Sequence, residues 1–192
     1  MLAGAVLVGG RSLRYGRNKA LEPFRGTRLV DRVLEDLASF CSPVLAIAND
    51  LESYRDVRAT LVRDLVPHQG PLLGIYTALL FSPHDWLFAR ATDMPFLVRE
   101  LALMISADRD DACDVVVPVR NGRLEPLCAL YHRRCIPAIV DAIERGDRKI
   151  VSFYRKVKVK ELIEERWRTV DPEGLSFRNV NTPEEMERLQ WS

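Results

Sequence analysis

Leu7-Val8-Gly9-Gly10-Arg11-Ser12-Leu13-Arg14-Tyr15-Gly16-Arg17-Asn18-Lys19 decides how this chain is read. It completes an apolar run, Leu2 to Val8, that is too short to be anything but a buried strand. Two adjacent glycines end that strand and let the backbone turn sharply, bringing bare N–H groups close to a ligand. Arg11, Arg14, Arg17 and Lys19 then place positive charge on the same loop. A strand that breaks into glycines and cations is suited to hold phosphate.

Spacing excludes two common phosphate loops. A Walker loop places four residues between its first glycine and a Gly-Lys pair, with Ser or Thr after the lysine. Here Gly16 stands three positions before Lys19, and Ala20 follows. The dinucleotide fingerprint Gly-x-Gly-x-x-Gly is not matched by Gly9, Gly10 and Gly16 either. A solvated basic turn after a first strand stays open on the loop alone.

Outward from the loop, 192 residues predict one compact domain spanning 1–192. A hydrophobic content of 47% can fill a sizeable core. The net charge of +1 gives no global reason to expect nucleic acid, so an anionic partner must be held by local charge. Cys41, Cys113, Cys128 and Cys135 show neither a Cys-x-x-Cys pair nor a zinc-type His spacing, which argues against a zinc site or a disulfide scaffold. No run reaches membrane-spanning length, and the first apolar run meets glycines too soon for a signal peptide. A cytoplasmic protein away from membranes is the expectation.

Strand and helix signals alternate along the first half. Leu29, Val33, Leu34 and Leu37 recur at helical spacing; Pro43 to Ala48 is a second strand, ending at Asn49-Asp50, which can cap a short helix through Tyr54. Thr60-Leu61-Val62 is a third strand ending at Arg63-Asp64. Gly70-Pro71 opens a helix, and Trp86 to Ala89 forms a fourth strand stopped by Thr92-Asp93-Met94-Pro95. The pattern predicts an α/β domain with a mainly parallel sheet. Later, a helix near Val98 to Ala107 precedes two apolar runs around Asn121-Gly122, which predict a hairpin and an antiparallel strand. Ile136 to Ile143 reads as a helix. The base-rich segment Arg148 to Lys160 reads equally as a lysine-defended edge strand or as an anion-binding face. Thr182-Pro183 can start a last helix.

In open parallel sheets, ligands bind beyond the carboxyl ends of the strands. Gly9-Gly10, Asn49-Asp50, Asp64 and Asp93 are predicted there. A carboxylate beside a triphosphate commonly holds Mg²⁺ together with phosphate oxygens and water; the structural alternative for Asp93 is a helix cap. His68, His84 and His132 fall in different segments, leaving no nucleophile–base pair. That absence fits a reaction whose substrate is its own nucleophile. A phosphate monoester, with a second pKa of about 6, is already anionic. Its attack on an α-phosphorus needs alignment and charge neutralisation more than a general base.

These residues resemble a known family. Leu7-Val8-Gly9-Gly10, Arg14, Gly16 and Lys19-Ala20 look like the Leu-Ala-Gly-Gly-x-x-x-Arg-Met-Gly-x-Asp-Lys signature of the molybdenum cofactor guanylyltransferases. Asp64 before Gly70-Pro71-Leu72-Leu73-Gly74, then Asp93-Met94-Pro95-Phe96, then Asn179-Val180-Asn181-Thr182-Pro183-Glu184 resemble further family motifs in the same order. The resemblance implies a Rossmann-like nucleotidyltransferase fold: α/β, a mainly parallel mixed sheet with one antiparallel strand, and helices on both faces. It implies transfer of GMP from GTP to the terminal phosphate of molybdopterin, with release of pyrophosphate and Mg²⁺ as cofactor. The backbone of Leu7, Val8 and Gly9 would read guanosine, and Arg14 and Lys19 would hold phosphates. Asp64 would contact the nucleoside, and Asp93 would bind Mg²⁺ and GTP. Arg148, Arg155, Asn179 and Asn181 become candidates on the pterin side. A monomer, and contact with acceptor molybdoenzymes or cofactor-delivery proteins, are compatible with this reading. CTP in place of GTP, a different phosphate acceptor, and a non-catalytic nucleotide or cofactor carrier are the alternatives. Val8, Tyr15 and Asn18 depart from the signature, where Ala, Met and Asp are usual. Ile47 stands where some members carry a polar nucleoside contact, so that contact is not carried over.

Overall fold

The computed structural model describes residues 1–8, 18–65 and 70–190. Strand β1 (Ala3–Val8) leads through a 3-10 turn, Lys19–Leu21, into a two-stranded hairpin of β2 (Pro23–Phe24) and β3 (Thr27–Arg28). Helix α1 (Leu29–Ala38), β4 (Val44–Ala48), β5 (Thr60–Arg63), α2 (Pro71–Phe81), β6 (Trp86–Ala91) and α3 (Arg99–Ala107) follow in the expected alternation. The second half adds β7 (Val115–Arg120), β8 (Arg123–Leu124), β9 (Cys128–His132) and α4 (Ile136–Glu144). A 3-10 segment (Ile150–Lys156), β10 (Val159–Leu162), α5 (Glu164–Trp167) and α6 (Pro183–Gln190) complete the chain.

The main sheet runs β10-β7-β9-β6-β1-β4-β5, with β8 attached to β7. Strands β6, β1, β4 and β5 are mutually parallel. Asn121-Gly122 closes a hairpin of β7 with the short β8, and β9, which carries the second apolar run, is inserted antiparallel between β6 and β7. Successive side chains on a strand face opposite ways, and this splits the core in two. Val6, Ala46, Phe88 and Leu130 meet α1 and α3 on one face. Ala5, Leu45, Ala89 and Tyr131 meet α2, α4 and the 3-10 segment on the other. Helices cover both faces, which is why the central strands read as nearly continuous apolar runs.

Four details differ from the sequence expectation. Strand β6 runs two residues past Ala89, through Arg90 to Ala91, because Arg90 is buried and stays in register with Cys128. The β2–β3 hairpin closes over Arg25 (φ 50°) and Gly26 (φ 85°), a two-residue turn with both central residues left-handed. An arginine at its first position hides that turn from the usual Asn-Gly or Asp-Gly signal. Half of the basic segment is structural: β10 is an edge strand parallel to β7, and Lys156 and Lys160 pair with Asp141 and Asp110. Helix α5 was not foreseen; it seals one face with the fully buried Trp167. All four cysteines are buried free thiols. Among the described residues no helix is long and apolar enough to cross a membrane.

Candidate active site

The parallel strands β6, β1, β4 and β5 end at one edge of the sheet, and the candidate residues gather beyond it. Leu7 and Val8 close β1, paired with Ile47 and Ala48 of β4; Leu7 is also paired with Ala91 of β6. The Leu7 carbonyl is held from the side, accepting the Thr92 hydroxyl at 2.9 Å. Ile47 is buried among the apolar side chains facing α2, consistent with the absence of a polar contact from this position. Gly9, Gly10, Arg11, Arg14, Gly16 and Arg17 lie outside the described residues, as does His68.

Lys19 opens the 3-10 turn after the loop and is 8% exposed. Its ammonium lies 3.7 Å from the Asp93 carboxylate, whose side chain is 36% exposed. At that distance the contact is one of charge with charge rather than a hydrogen bond. Burial pulls the Lys19 pKa below its ordinary value; the negative charges of Asp93 and Glu185 oppose the shift. Asn18, in place of the signature aspartate, accepts the Ala20 N–H at 3.3 Å and the Tyr54 hydroxyl at 2.9 Å. It therefore caps the turn and ties it to the segment after β4. A carboxamide oxygen accepts both bonds, so the lost charge does not cost the turn its anchor.

Asp93 follows β6 in a turn, and it does not cap α3, whose N-cap is Val98, five residues later, with no side-chain cap. The helix-cap alternative for Asp93 is thereby excluded. The Asp93 carbonyl accepts the Val180 N–H at 2.8 Å. Val180 is fully buried beside Phe24, Leu29, Met186 and Leu189, while its neighbours Asn179 and Asn181 are exposed. The last motif is thus brought against the Asp93 turn. Its Thr182 accepts the Glu185 N–H at 3.2 Å at the start of α6, and Glu185 accepts the Asn181 N–H at 2.6 Å. This near-capping-box arrangement fixes the segment carrying both asparagines.

Asp64 stands beyond β5, on the other side of β1. Its carboxylate accepts the Thr77 hydroxyl of α2 at 3.0 Å. Three interstrand steps of about 4.8 Å separate the ends of β6 and β5, or roughly 14 Å. Asp93 and Asp64 are therefore set at opposite ends of one strip instead of forming a carboxylate pair. Gly74 of α2 faces Leu7 so closely that a Cβ there would lie 3.0 Å from a Leu7 methyl carbon. At Gly70, φ 99°, a Cβ would lie 3.5 Å from the Arg148 carbonyl oxygen. Arg148 is exposed and donates to the Asp147 carbonyl at 3.0 Å; Arg155 is exposed on the 3-10 segment. That segment is anchored by the buried Tyr154 hydroxyl, 2.8 Å from that of Tyr131, which also donates to the Pro126 carbonyl.

His132 ends β9 at the opposite edge of the sheet, paired with Trp86, and His84 meets the Ser42 carbonyl nearby. Both described histidines lie at the end of the sheet opposite Asp93. Among the described residues no three His, Cys, Asp or Glu side chains converge as a metal cage. Asp93 alone suits an ion that takes most of its oxygens from phosphate and water, which is how Mg²⁺ is usually held. Thr77 and Thr92 escaped sequence reasoning because their partners are remote along the chain. Arg90 left a signal, a lone charge inside a buried strand.

The parallel sheet, the strand-end lysine and carboxylate, and the strip between Asp93 and Asp64 are those of a nucleotidyltransferase. The family described as "MobA-like NTP transferase domain" matches residues 4–161. The chain is 37% identical to the molybdenum cofactor guanylyltransferase of Desulfosudis oleivorans, over 98% of this chain and 94% of the relative. It is 34% identical to a probable molybdenum cofactor guanylyltransferase of Carboxydothermus hydrogenoformans, with the same coverages. Molybdopterin-guanine dinucleotide biosynthesis protein A from Archaeoglobus fulgidus superposes with a TM-score of 0.84 at 29% identity, over 98% of this chain and 97% of that one. A cytidylyltransferase from Thermus thermophilus shares the fold at a TM-score of 0.70 and 13% identity, over 97% and 96% of the two chains. The chain belongs to the molybdenum cofactor guanylyltransferase family, within the MobA-like NTP transferases.

Proposed function

We infer that the protein transfers GMP from GTP to the terminal phosphate of molybdopterin, forming the guanine dinucleotide form of the cofactor and releasing pyrophosphate. The observation that carries this reading is the Lys19–Asp93 pair, set at the ends of β1 and β6 beside the Asn179–Asn181 segment. The attacking group is the acceptor's own phosphate oxygen, so no side chain has to generate a nucleophile. Lys19, joined by Arg14, balances the charge of the departing pyrophosphate. The Leu7, Val8 and Gly9 backbone and Asp64 would hold the nucleoside. Asp93 would hold Mg²⁺, which neutralises phosphate charge as the new P–O bond forms. Asn179 and Asn181, exposed beside Asp93, would meet the acceptor phosphate, with Arg148 and Arg155 towards the pterin. The 192 residues act on this reading as one nucleotidyltransferase domain of a cytoplasmic monomer, with cofactor passed to acceptor molybdoenzymes or delivery proteins.

A panel of nucleotides with molybdopterin and Mg²⁺ tests the assignment: GTP should give pyrophosphate release and the dinucleotide, and equal or better use of CTP would reject the base. Asp93→Ala should stay folded and lose transfer by about 100-fold or more. Undiminished transfer would remove Asp93 from the mechanism, and nucleotide binding without any transfer by the wild type would make the protein a carrier.

A further inference from the structure

Arg90 is the most anomalous side chain in the sheet. It is fully buried on the α1–α3 face of β6, and its Nε and Nη1 have no hydrogen-bond partner. A buried guanidinium kept with two idle nitrogens is costly, so the one bond it does make carries weight. Arg90 Nη2 donates to the Met94 carbonyl at 2.8 Å. The next carbonyl, of Pro95, accepts Arg32 Nε from α1 at 3.0 Å. The preceding one, of Asp93, accepts the Val180 N–H at 2.8 Å. Three consecutive carbonyls of the Asp93-Met94-Pro95 turn are therefore gripped from three separate segments: β6, α1 and the connection before α6. On the other side the Met94 N–H closes back onto the Ala91 carbonyl at 3.2 Å. The carboxylates that balance Arg90 are Asp36 on α1 and the half-buried Glu125 beyond β8, and both feel its charge.

We propose that Arg90, with Arg32, is a positioning residue for Asp93: the two guanidiniums clamp the carbonyls of its turn and so fix the direction of its carboxylate. A turn lacking these donors would leave Met94 and Pro95 carbonyls unpartnered beneath the site. Asp93 would then sample several directions, and a single-carboxylate ion site depends on one. The charge of Lys19 alone, at 3.7 Å, does not define an angle. Neither arginine touches the substrate strip; both act through the backbone. The proposal rests on reading Asp93 as the metal ligand.

The test uses Arg90→Met, a chain of similar length without donors, and Arg32→Met, which removes the donor to the Pro95 carbonyl at a half-exposed position. Binding of Mn²⁺ with GTP is followed by electron paramagnetic resonance, amide exchange at Val180 by NMR, and kcat and KM for GTP by pyrophosphate release. Both variants should weaken Mn²⁺ binding by about 10-fold or more, as loss of a ligand's supporting partner does. Val180 exchange should accelerate by a similar factor, with kcat falling and KM for GTP nearly unchanged. Arg90→Lys, which keeps a donor and the charge, should recover part of each loss. Wild-type Mn²⁺ affinity and Val180 protection in a folded Arg90→Met protein overturn the proposal. If that variant does not fold, the same result in Arg32→Met overturns it. Asp93→Asn in the same assay separates the two readings: retained Mn²⁺ affinity there rejects Asp93 as ligand, whatever the clamp does.

Discussion

Lys19 holds an ammonium at 8% exposure against a partly exposed carboxylate, so the site stores charge that the fold would be easier without. Because burial lowers its pKa below the ordinary 10.5, the unfolded chain binds more protons than the native one between the lowered value and 10.5. Stability should therefore rise with pH through that window, and the penalty is fully present below it. Lys19→Met removes the penalty. Thermal melts should show the variant at least as stable as wild type near pH 8, with its advantage shrinking as the pH rises towards 10.5. Transfer should fall by about 100-fold, the scale for losing a charge-stabilising donor. A variant that loses stability at pH 8 would mean that the Asp93 attraction outweighs desolvation. The residue scale was partly legible: Lys19 and Asp93 were found from a motif and a strand end. The roles of Asn18, Thr77 and Thr92 were not, since each depends on a partner in another element.

At the scale of elements, the turns and the start of α2 carry the strongest constraints. Gly70 at φ 99° precedes Pro71, which occupies the first position of α2. An L-residue in that conformation is strained, so Gly70→Ala should cost about 1–3 kcal/mol, measured by denaturant unfolding. Gly74→Ala acts differently. Its φ is ordinary, and the new Cβ presses on Leu7 methyl carbons at 3.0 and 3.3 Å. The predicted result is a raised KM for GTP with a stability loss within about 1–3 kcal/mol for overpacking. Unchanged KM would detach Leu7 from nucleoside binding. Turn chemistry also shows where sequence signals stop. Asn121-Gly122 announced its hairpin, whereas Arg25-Gly26 forms the same kind of turn without announcing it. Arg25 tolerates φ 50° because its guanidinium is engaged elsewhere, lying over the Phe24 and Phe96 rings and donating to the Leu189 carbonyl at 3.1 Å.

For the molecule as a whole, the site is assembled from both ends of the chain. The small cluster of Phe24, Leu29, Val180, Met186 and Leu189 lies apart from the two main cores and holds α6 in place. Through Val180 it also holds the Asp93 turn. Met186→Ala should therefore cost about 2 kcal/mol, at the low end for a buried methionine, and should reduce transfer more than Phe153→Ala, whose cavity opens on the α2–α4 face. Equal losses of transfer at equal destabilisation would mean that α6 contributes packing alone. By itself the sequence determined the α/β alternation, the parallel character of the first strands, the Asn121-Gly122 hairpin, and the residues at strand ends. Those features follow from local periodicity and turn chemistry. Only the tertiary structure decided the order β10-β7-β9-β6-β1-β4-β5, the separation of Asp64 from Asp93, and the grip of Arg90 and Arg32 on the Asp93 turn. Each of these rests on contacts between segments far apart in the chain, such as Thr92 with Leu7 and Val180 with Asp93. Local pattern specifies which face of a strand is apolar, but not which distant donor will reach a given carbonyl.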